Sequence, residues 1–267
     1  MAVVFVVLGA ALVAGLFANR WVRPFAKTEV QGVKLELLIS PLLTLTVLLL
    51  AFVLVQVFSG YRASRDAAGL EAGRVVFEYD LADYYDDEFA QPMQESLLCY
   101  ARAIAHQEWR SLDDDPFPNP VATQWGRGLD EPLAELRTVD SDQPYGTLLT
   151  ADKERADGRR LRIVQARAAL PREVELLLLG TSAAAVLGIA AFTLPYVSRR
   201  TQIGALGVLA VILALVLVTI ADLDRKYDGF IEIENEDFLI ADELLSPRYA
   251  ERFPDQALPC DERGLPI

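Results

Sequence analysis

Apolar residues run almost unbroken through four stretches of the chain, near 2–18, 37–58, 176–197 and 203–221, and each stretch is nearly free of charge. At ~1.5 Å of rise per residue, a run of that length spans the ~30 Å hydrocarbon core of a bilayer as a helix. Four such runs exceed what the buried helices of a soluble protein need, so the pattern predicts a polytopic membrane protein. The first run has no basic residues ahead of it, unlike a signal peptide. Arg20 and Arg23 follow it as a stop-transfer flank, so it reads as a retained span.

The second run does not stop at the bilayer. In "VLVQVFSGYRASRDAAGLEAGRVV" (53–76) the apolar sequence passes into a charged helical pattern with no proline between them. The expectation is one helix from about Leu37 to about Tyr79, a stalk joining the bilayer to a folded domain. Ala63 and Ala67 on this stalk are expected to pack against the helix that descends into span 3, around Ile163 to Ala168. Basic residues there are expected to form exposed pairs with acids such as Asp66 and Glu71, each contributing only ~0–1 kcal/mol.

Three further helices are predicted in the middle segment. One covers 90–112, with Pro92 in its first turn and Met93, Leu97, Tyr100, Ala101, Ile104 and Leu112 on one stripe. "DDDPFPNP" (113–120) ends it, and a shorter helix follows around 121–138. A last one starts near Pro144, capped by Ser141 or Asp142, with Gly158 as a bending point. In the tail, Ile231 and Ile233 alternate with Glu232 and Glu234 after a turn at Asp228–Gly229, which predicts a short strand or extended segment. The polar, proline-bearing residues beyond are expected to lie along the domain surface or to be partly mobile. The fold class is therefore an all-α membrane protein, with four transmembrane helices, a helical bundle between spans 2 and 3, and a short extended C-terminal tail. Its parts are 1–59 (spans 1 and 2), 60–174 (extramembrane bundle), 175–221 (spans 3 and 4) and 222–267 (extramembrane tail).

Charge sets the expected orientation. The link after span 1 carries Arg20, Arg23, Lys27 and Lys34 against Glu29, and the link between spans 3 and 4 carries Arg199 and Arg200. Short basic loops stay in the cytoplasm, which puts the N-terminus, middle domain and tail on the outer face. Six arginines just before span 3 (Arg155, Arg159, Arg160, Arg162, Arg167, Arg172) oppose this, but long loops cross a membrane largely regardless of charge. The chain of 267 residues has a net charge of −13, which excludes nucleic acid as a partner. The expected partners are the lipid bilayer and either further copies of the chain or another membrane protein.

Candidate chemistry is sparse. One histidine, His106, and two distant cysteines leave no zinc-ligand set. The acidic segment "EYDLADYYDDEF" (78–89) lacks EF-hand spacing and reads as a solvated face. No G-x-S-x-G turn, P-loop or dinucleotide fingerprint is present, so no catalytic residue, metal site or cofactor is expected and the protein reads as a non-enzyme. Cys99 and Cys260 fall on the same side of the predicted topology. A disulfide between them is allowed on an oxidising side, the alternative being two free thiols too far apart to bond. Ala11 and Gly15 in span 1, and Gly180, Ala184 and Gly188 in span 3, recur every four residues, the spacing of close helix packing within or between subunits.

Several segments resemble the bestrophin-like domain family of bacterial membrane proteins. They are "FSGYRASRDAAGLEAGRVV" leaving span 2, "YARAIAHQEW" (100–109) in place of a Y…EEW-like segment, Leu170-Pro171 before span 3, and "DRKYDGFIEI" (224–233) in place of an Asp-Arg-Pro-Phe-x-Gly-like turn. Lys226 and Tyr227 stand where the family usually has Pro-Phe, and the Asn-Asp pair often found after span 1 is missing. The resemblance implies a distant likeness to bestrophins, pentameric anion channels that have four spans per subunit and keep the middle region in the cytosol. An oligomeric, channel-like protein is the function it implies. A non-catalytic scaffold or accessory subunit, binding a partner through its acidic domain, is the alternative.

Overall fold

A computed structural model describes residues 2–26, 36–112, 116–139, 143–192 and 199–267. The loop charges Lys27, Glu29 and Lys34, the caps Ser141 and Asp142, and the "DDD" run at 113–115 lie outside the described residues. Nine α-helices account for most of the rest: α1 (Ala2–Ala26), α2 (Glu36–Ala82), α3 (Asp87–Ala103), α4 (Pro120–Arg127), α5 (Asp130–Val139), α6 (Gln143–Ala166), α7 (Arg172–Phe192), α8 (Arg199–Asp224) and α9 (Glu236–Arg252). Among the described residues there is no strand, only an isolated bridge between Cys260 and Pro266. Two compact units result, one of residues 1–59 and 169–224 and the other of residues 60–168 and 225–267.

The first unit holds α1, α2 as far as Ser59, α7 and α8. Among the described residues, four helices are long and apolar enough to cross a membrane. α1 packs closely along α7. A Cβ added at Gly15 would sit 2.6 Å from the Ala190 Cβ and 2.7 Å from the Leu187 carbonyl oxygen, so only glycine allows this crossing. Asn19 Nδ2 donates to the Ala191 carbonyl at 2.7 Å and fixes the register of the pair. At the end of α8, the Asp224 carboxylate accepts from the Ala169 and Leu170 amides at 2.8 and 3.4 Å. Two of the family-like segments, Asp224 and Leu170-Pro171, thus meet directly.

α2 is continuous through Gly60, and its 47 residues reach ~70 Å, about twice the hydrocarbon thickness. From Gly60 onward it belongs to the second unit, where it packs against α6 and α9. α6 runs through Gly158 without a break. An added Cβ there would lie 3.2 Å from the Glu71 Cβ, so this glycine is the point where α6 presses onto α2.

The middle helices differ from the sequence pattern in their punctuation. α3 starts at Asp87, three residues ahead of the expected start, which puts Pro92 in its second turn. It continues into a π-helical turn, Ile104–Glu108, and a 3₁₀ turn, Trp109–Ser111. The segment expected as one helix over 121–138 is two, α4 and α5, broken at Gly128, where an added Cβ would meet Ser96 Oγ at 2.7 Å. Asn119 caps α4 by accepting from the Val121 amide at 2.9 Å, with Pro120 in the first turn.

The tail departs most. Of the short strand or extended segment expected at Ile231–Glu234, no strand forms and the chain is irregular: Ile233 is buried, and its amide donates to the Lys226 carbonyl at 2.8 Å. α9 follows, burying Phe238, Ala241, Leu245 and Tyr249 against the second unit's core. Residues 253–267 run on without helix and are pinned at the end. Cys260 is bonded to Cys99 with a Cα–Cα separation of 5.9 Å. Trp125 Nε1 donates to the Gly264 carbonyl at 2.7 Å. Gly264 has φ +75°, and a side chain there would run into the Ala103 backbone, so this turn demands glycine twice over.

Candidate functional site

Charged side chains concentrate in the interior of the second unit. Arg162 on α6 is fully buried and donates through Nε to Glu71 Oε2 at 2.6 Å and through Nη2 to Glu71 Oε1 at 3.2 Å and Glu108 Oε1 at 2.5 Å. Its Nη1 has no acceptor among the described residues. The flat guanidinium lies over the rings of Trp109 and Phe238, 5.4 and 5.7 Å from their centroids. One turn earlier, Arg159 bonds Glu108 Oε2 at 2.5 Å, Thr123 Oγ1 at 3.0 Å and the Asn119 carbonyl at 3.2 Å. Glu108 also accepts from the Asn119 amide at 2.8 Å. Tyr100 donates to Glu71 Oε1 at 2.6 Å. Another turn back, Arg155 bonds Glu78 at 3.1 Å and Asp152, and covers the Tyr100 ring at 4.7 Å.

The π-helical turn makes this geometry. Its wider winding ends at Glu108 and places that carboxylate inside, where arginines one turn apart on α6 reach both oxygens. Burial alone would raise the Glu108 pKa, but the Arg162 and Arg159 guanidiniums outweigh it and lower the value below the ordinary glutamate range. Tyr100 is pushed well up, by burial first and by the neighbouring Glu71 charge second. A carboxylate held ionised by two guanidiniums is a poor proton acceptor, and the arrangement acts as a clamp between α2, the π turn and α6. The pairs read from sequence as exposed are therefore buried, and Glu71 rather than the exposed Asp66 takes part.

Three family-like residues, Tyr100, Glu108 and Trp109, are members of this clamp. The two residues that depart from the family pattern are also accounted for. Lys226 is buried, and its ammonium donates to the Gln165 and Arg167 carbonyls, where α6 leaves its last backbone acceptors unpaired. Tyr227 meets Trp109 edge-on at 5.2 Å. The acidic segment 78–89 is only partly solvated. Glu78 is buried, Arg248 bonds Asp80 and Asp83 at 2.6 and 2.9 Å, and Arg252 bonds Asp83 and Asp87 at 2.7 and 2.8 Å.

The sequence-derived packing residues divide. Ala11 is buried and Gly15 lies against Leu187 and Ala190. Ala67 is buried and Ala63 half-buried. Ala184 and Gly180 are exposed and Gly188 is buried, though an added Cβ at either glycine would meet no atom within 4 Å. In the membrane unit, α2 turns Leu45, Leu48, Phe52 and Val55 outward, with Phe52 72% exposed. The Thr44 and Thr46 hydroxyls bond back to the Ser40 and Leu42 carbonyls at 2.9 and 2.8 Å, so this stretch offers few free polar groups. No three His, Cys, Asp or Glu side chains among the described residues group as metal ligands.

Comparison with known proteins fits this architecture. The family described as Bestrophin-like domain matches residues 2–238. The structure is similar to that of a bacterial bestrophin homologue from Klebsiella pneumoniae, solved as two point variants. One, with a tyrosine-to-alanine change, superposes with a TM-score of 0.73 at 12% identity, covering 92% of this chain and 99% of the other. The second, with a leucine-to-threonine change, gives 0.69 at 12% identity over 95% and 99% of the two chains. Among curated proteins no sequence matches.

Proposed function

The chain belongs to the bestrophin-like domain family, and on that premise we propose that it forms an oligomeric, channel-like assembly in the membrane, without an enzymatic site. The observation that carries this reading is the outward apolar face of α2, from Leu45 through Leu48 and Phe52 to Val55. Copies gathered around an axis turn such a face into a hydrophobic constriction, which gates by dewetting rather than by charge. The net charge of −13 favours cations over anions near such a pore.

In contrast to the cytosolic middle region that the family likeness implies, the proposal keeps the N-terminus, the second unit and the tail on the outer face. The basic links flanking the spans support this orientation, as does a disulfide-bonded second unit, since disulfides persist in oxidising compartments.

Ion flux from liposomes holding the purified protein tests the proposal. The expected result is flux above that of empty vesicles, a preference for cations, and a raised rate when Phe52→Ala widens the constriction. An assembled oligomer that passes no ion, with or without the Phe52 change, would overturn it and leave the scaffold or accessory-subunit role.

A further inference from the structure

The loop that leads from α8 to α9 is closed at its base. The Ile233 amide donates to the Lys226 carbonyl at 2.8 Å, and the Lys226 ammonium is itself held by the Gln165 and Arg167 carbonyls. The apolar side chains of this loop divide between two environments. Tyr227 and Ile233 are buried in the core of the second unit. Phe230 at the tip is 86% exposed, and Ile231 beside it is exposed as well. A lone exposed apolar side chain is ordinary on a protein surface. Two adjacent ones at the tip of a fixed loop make a wedge.

Chain connectivity sets this wedge at the bilayer. The loop begins at Arg225, directly after Asp224, the last residue of the fourth apolar helix. Its returning limb is tied to α2, where Tyr61 OH donates to the Glu232 carbonyl at 3.4 Å. The charge-free run of α2 ends at Phe58. Tyr61 therefore lies ~4.5 Å further along the helix, within a headgroup layer about 5–7 Å deep. The exposed charges of residues 225–233 are Arg225, Asp228 and Glu232, with Arg62 next to Tyr61 on α2, two of each sign. Such a balanced rim suits a zwitterionic headgroup layer, and the apolar tip supplies the attraction.

We propose that Phe230 and Ile231 insert into the headgroup–acyl boundary, so that the second unit touches the bilayer at this loop as well as through the helices that enter it. Apolar side chains carried by a polar segment settle about 5–10 Å deep at that boundary. The same loop carries Lys226, on the last carbonyls of α6, and Tyr227, edge-on to Trp109. The wedge thus links the lipid surface to the buried clamp. The inference rests on the membrane spans alone and holds for either orientation of the chain and any number of subunits.

The test is depth measurement in phosphatidylcholine vesicles holding the full chain. Cys99 and Cys260 are bonded to each other, so a cysteine introduced by Phe230→Cys is the one thiol open to a nitroxide label. Tyr84→Cys, exposed in the turn after α2 and about 30 Å along that helix from Tyr61, serves as the water reference. The label at 230 is expected to collide several-fold more with oxygen, which concentrates in lipid, than with a water-soluble nickel chelate, and the label at 84 to show the reverse. In the unaltered protein, a lipid with a diazirine in its upper acyl chain is expected to label the peptide that contains Phe230. Chelate collision at 230 as frequent as at 84 would place the tip in water. Rare collision with both agents would place protein over it. Either result, or labelled spans with an unlabelled Phe230 peptide, overturns the proposal.

Discussion

Arg162 and Glu71 are 91 residues apart in sequence, yet the guanidinium of one grips the carboxylate of the other through two hydrogen bonds, with neither side chain exposed. Removing one member of such a pair strands the other charge in the interior, which costs about 3–5 kcal/mol. Arg162→Met is expected to destabilise the second unit by that amount, since it leaves both Glu71 and Glu108 short of a donor. Arg160→Met, which removes only the exposed pair with Asp157, is expected to cost less than about 1 kcal/mol. Denaturation of the two variants in the same detergent measures the difference. Equal losses at both positions would show that the buried clamp adds nothing beyond a surface pair.

The clamp should also set the acid limit of stability. Glu108 is ordinarily half-protonated at 4.5, and in the folded protein its pKa is lowered. Its contribution is therefore complete above about that pH and is lost as pH falls through the lowered value. Melting temperature followed from neutral pH to below pH 4 should drop on the acid side. Glu108→Gln should be less stable at neutral pH and flatter on that side. A variant with the same acid slope as the wild type would place the sensitivity elsewhere.

Legibility in the sequence followed the range of the forces involved. The spans were visible because hydrocarbon thickness fixes the length of a charge-free run, and α2 because no proline interrupts it between Val53 and Val76. α9 was missed because Pro247 falls inside it and because Ile231 and Ile233 mimic strand alternation. In the structure Ile233 is buried while Ile231 is 43% exposed, and no strand exists among the described residues to pair with them. The partners of Glu71 and Glu108 could not be read, since helical periodicity says which face a residue occupies and not which distant helix covers it. The signal that did exist was local. Arg155, Arg159, Arg162 and Ala166 recur at helical spacing on one face, an arrangement that needs acids opposite it.

Ala67 offers a direct check on how α2 is covered. It is 1% exposed, and Ser64 one turn before it donates to the Gln165 carbonyl of α6 at 3.2 Å. Ala67→Trp forces a large ring into this packed seam, an overpacking that costs typically 1–3 kcal/mol or more. Arg65→Trp adds the same ring on an exposed position. The first is expected to reduce the yield of assembled protein sharply and the second to leave it near wild type. Similar yields from both would mean that α2 is loosely held beyond the bilayer.

The C-terminal loop depends on two constraints that act together. Cys260 ties it to α3, and Gly264 supplies a backbone turn that an L side chain both strains and blocks. Loss of a native disulfide across so long a loop typically costs about 2–4 kcal/mol. Cys260→Ser and Gly264→Ala should each free the loop, so that trypsin cuts faster after the exposed Arg263. An unchanged rate in both variants would show that the Trp125 and Arg102 bonds to this loop are sufficient without them.

The second unit is expected on the outer side of the membrane. The family likeness implies a cytosolic middle region. Against it stand the basic short links, whose charge favours a cytoplasmic placement of those loops, and the bond between Cys99 and Cys260, which are 0% and 3% exposed. Reducing cytosol does not sustain a structural bond of that kind in most organisms, so the two arguments reinforce each other from independent physics. The expectation is an outer second unit. Phe117→Cys, at a 60% exposed position, should react in intact cells with a maleimide that cannot cross the membrane. A cysteine replacing Lys27, between spans 1 and 2, should be protected until the cells are opened. The reverse pattern would place the unit in the cytosol and require the disulfide to form only after the protein is extracted, which alkylation of the free thiols before lysis would reveal.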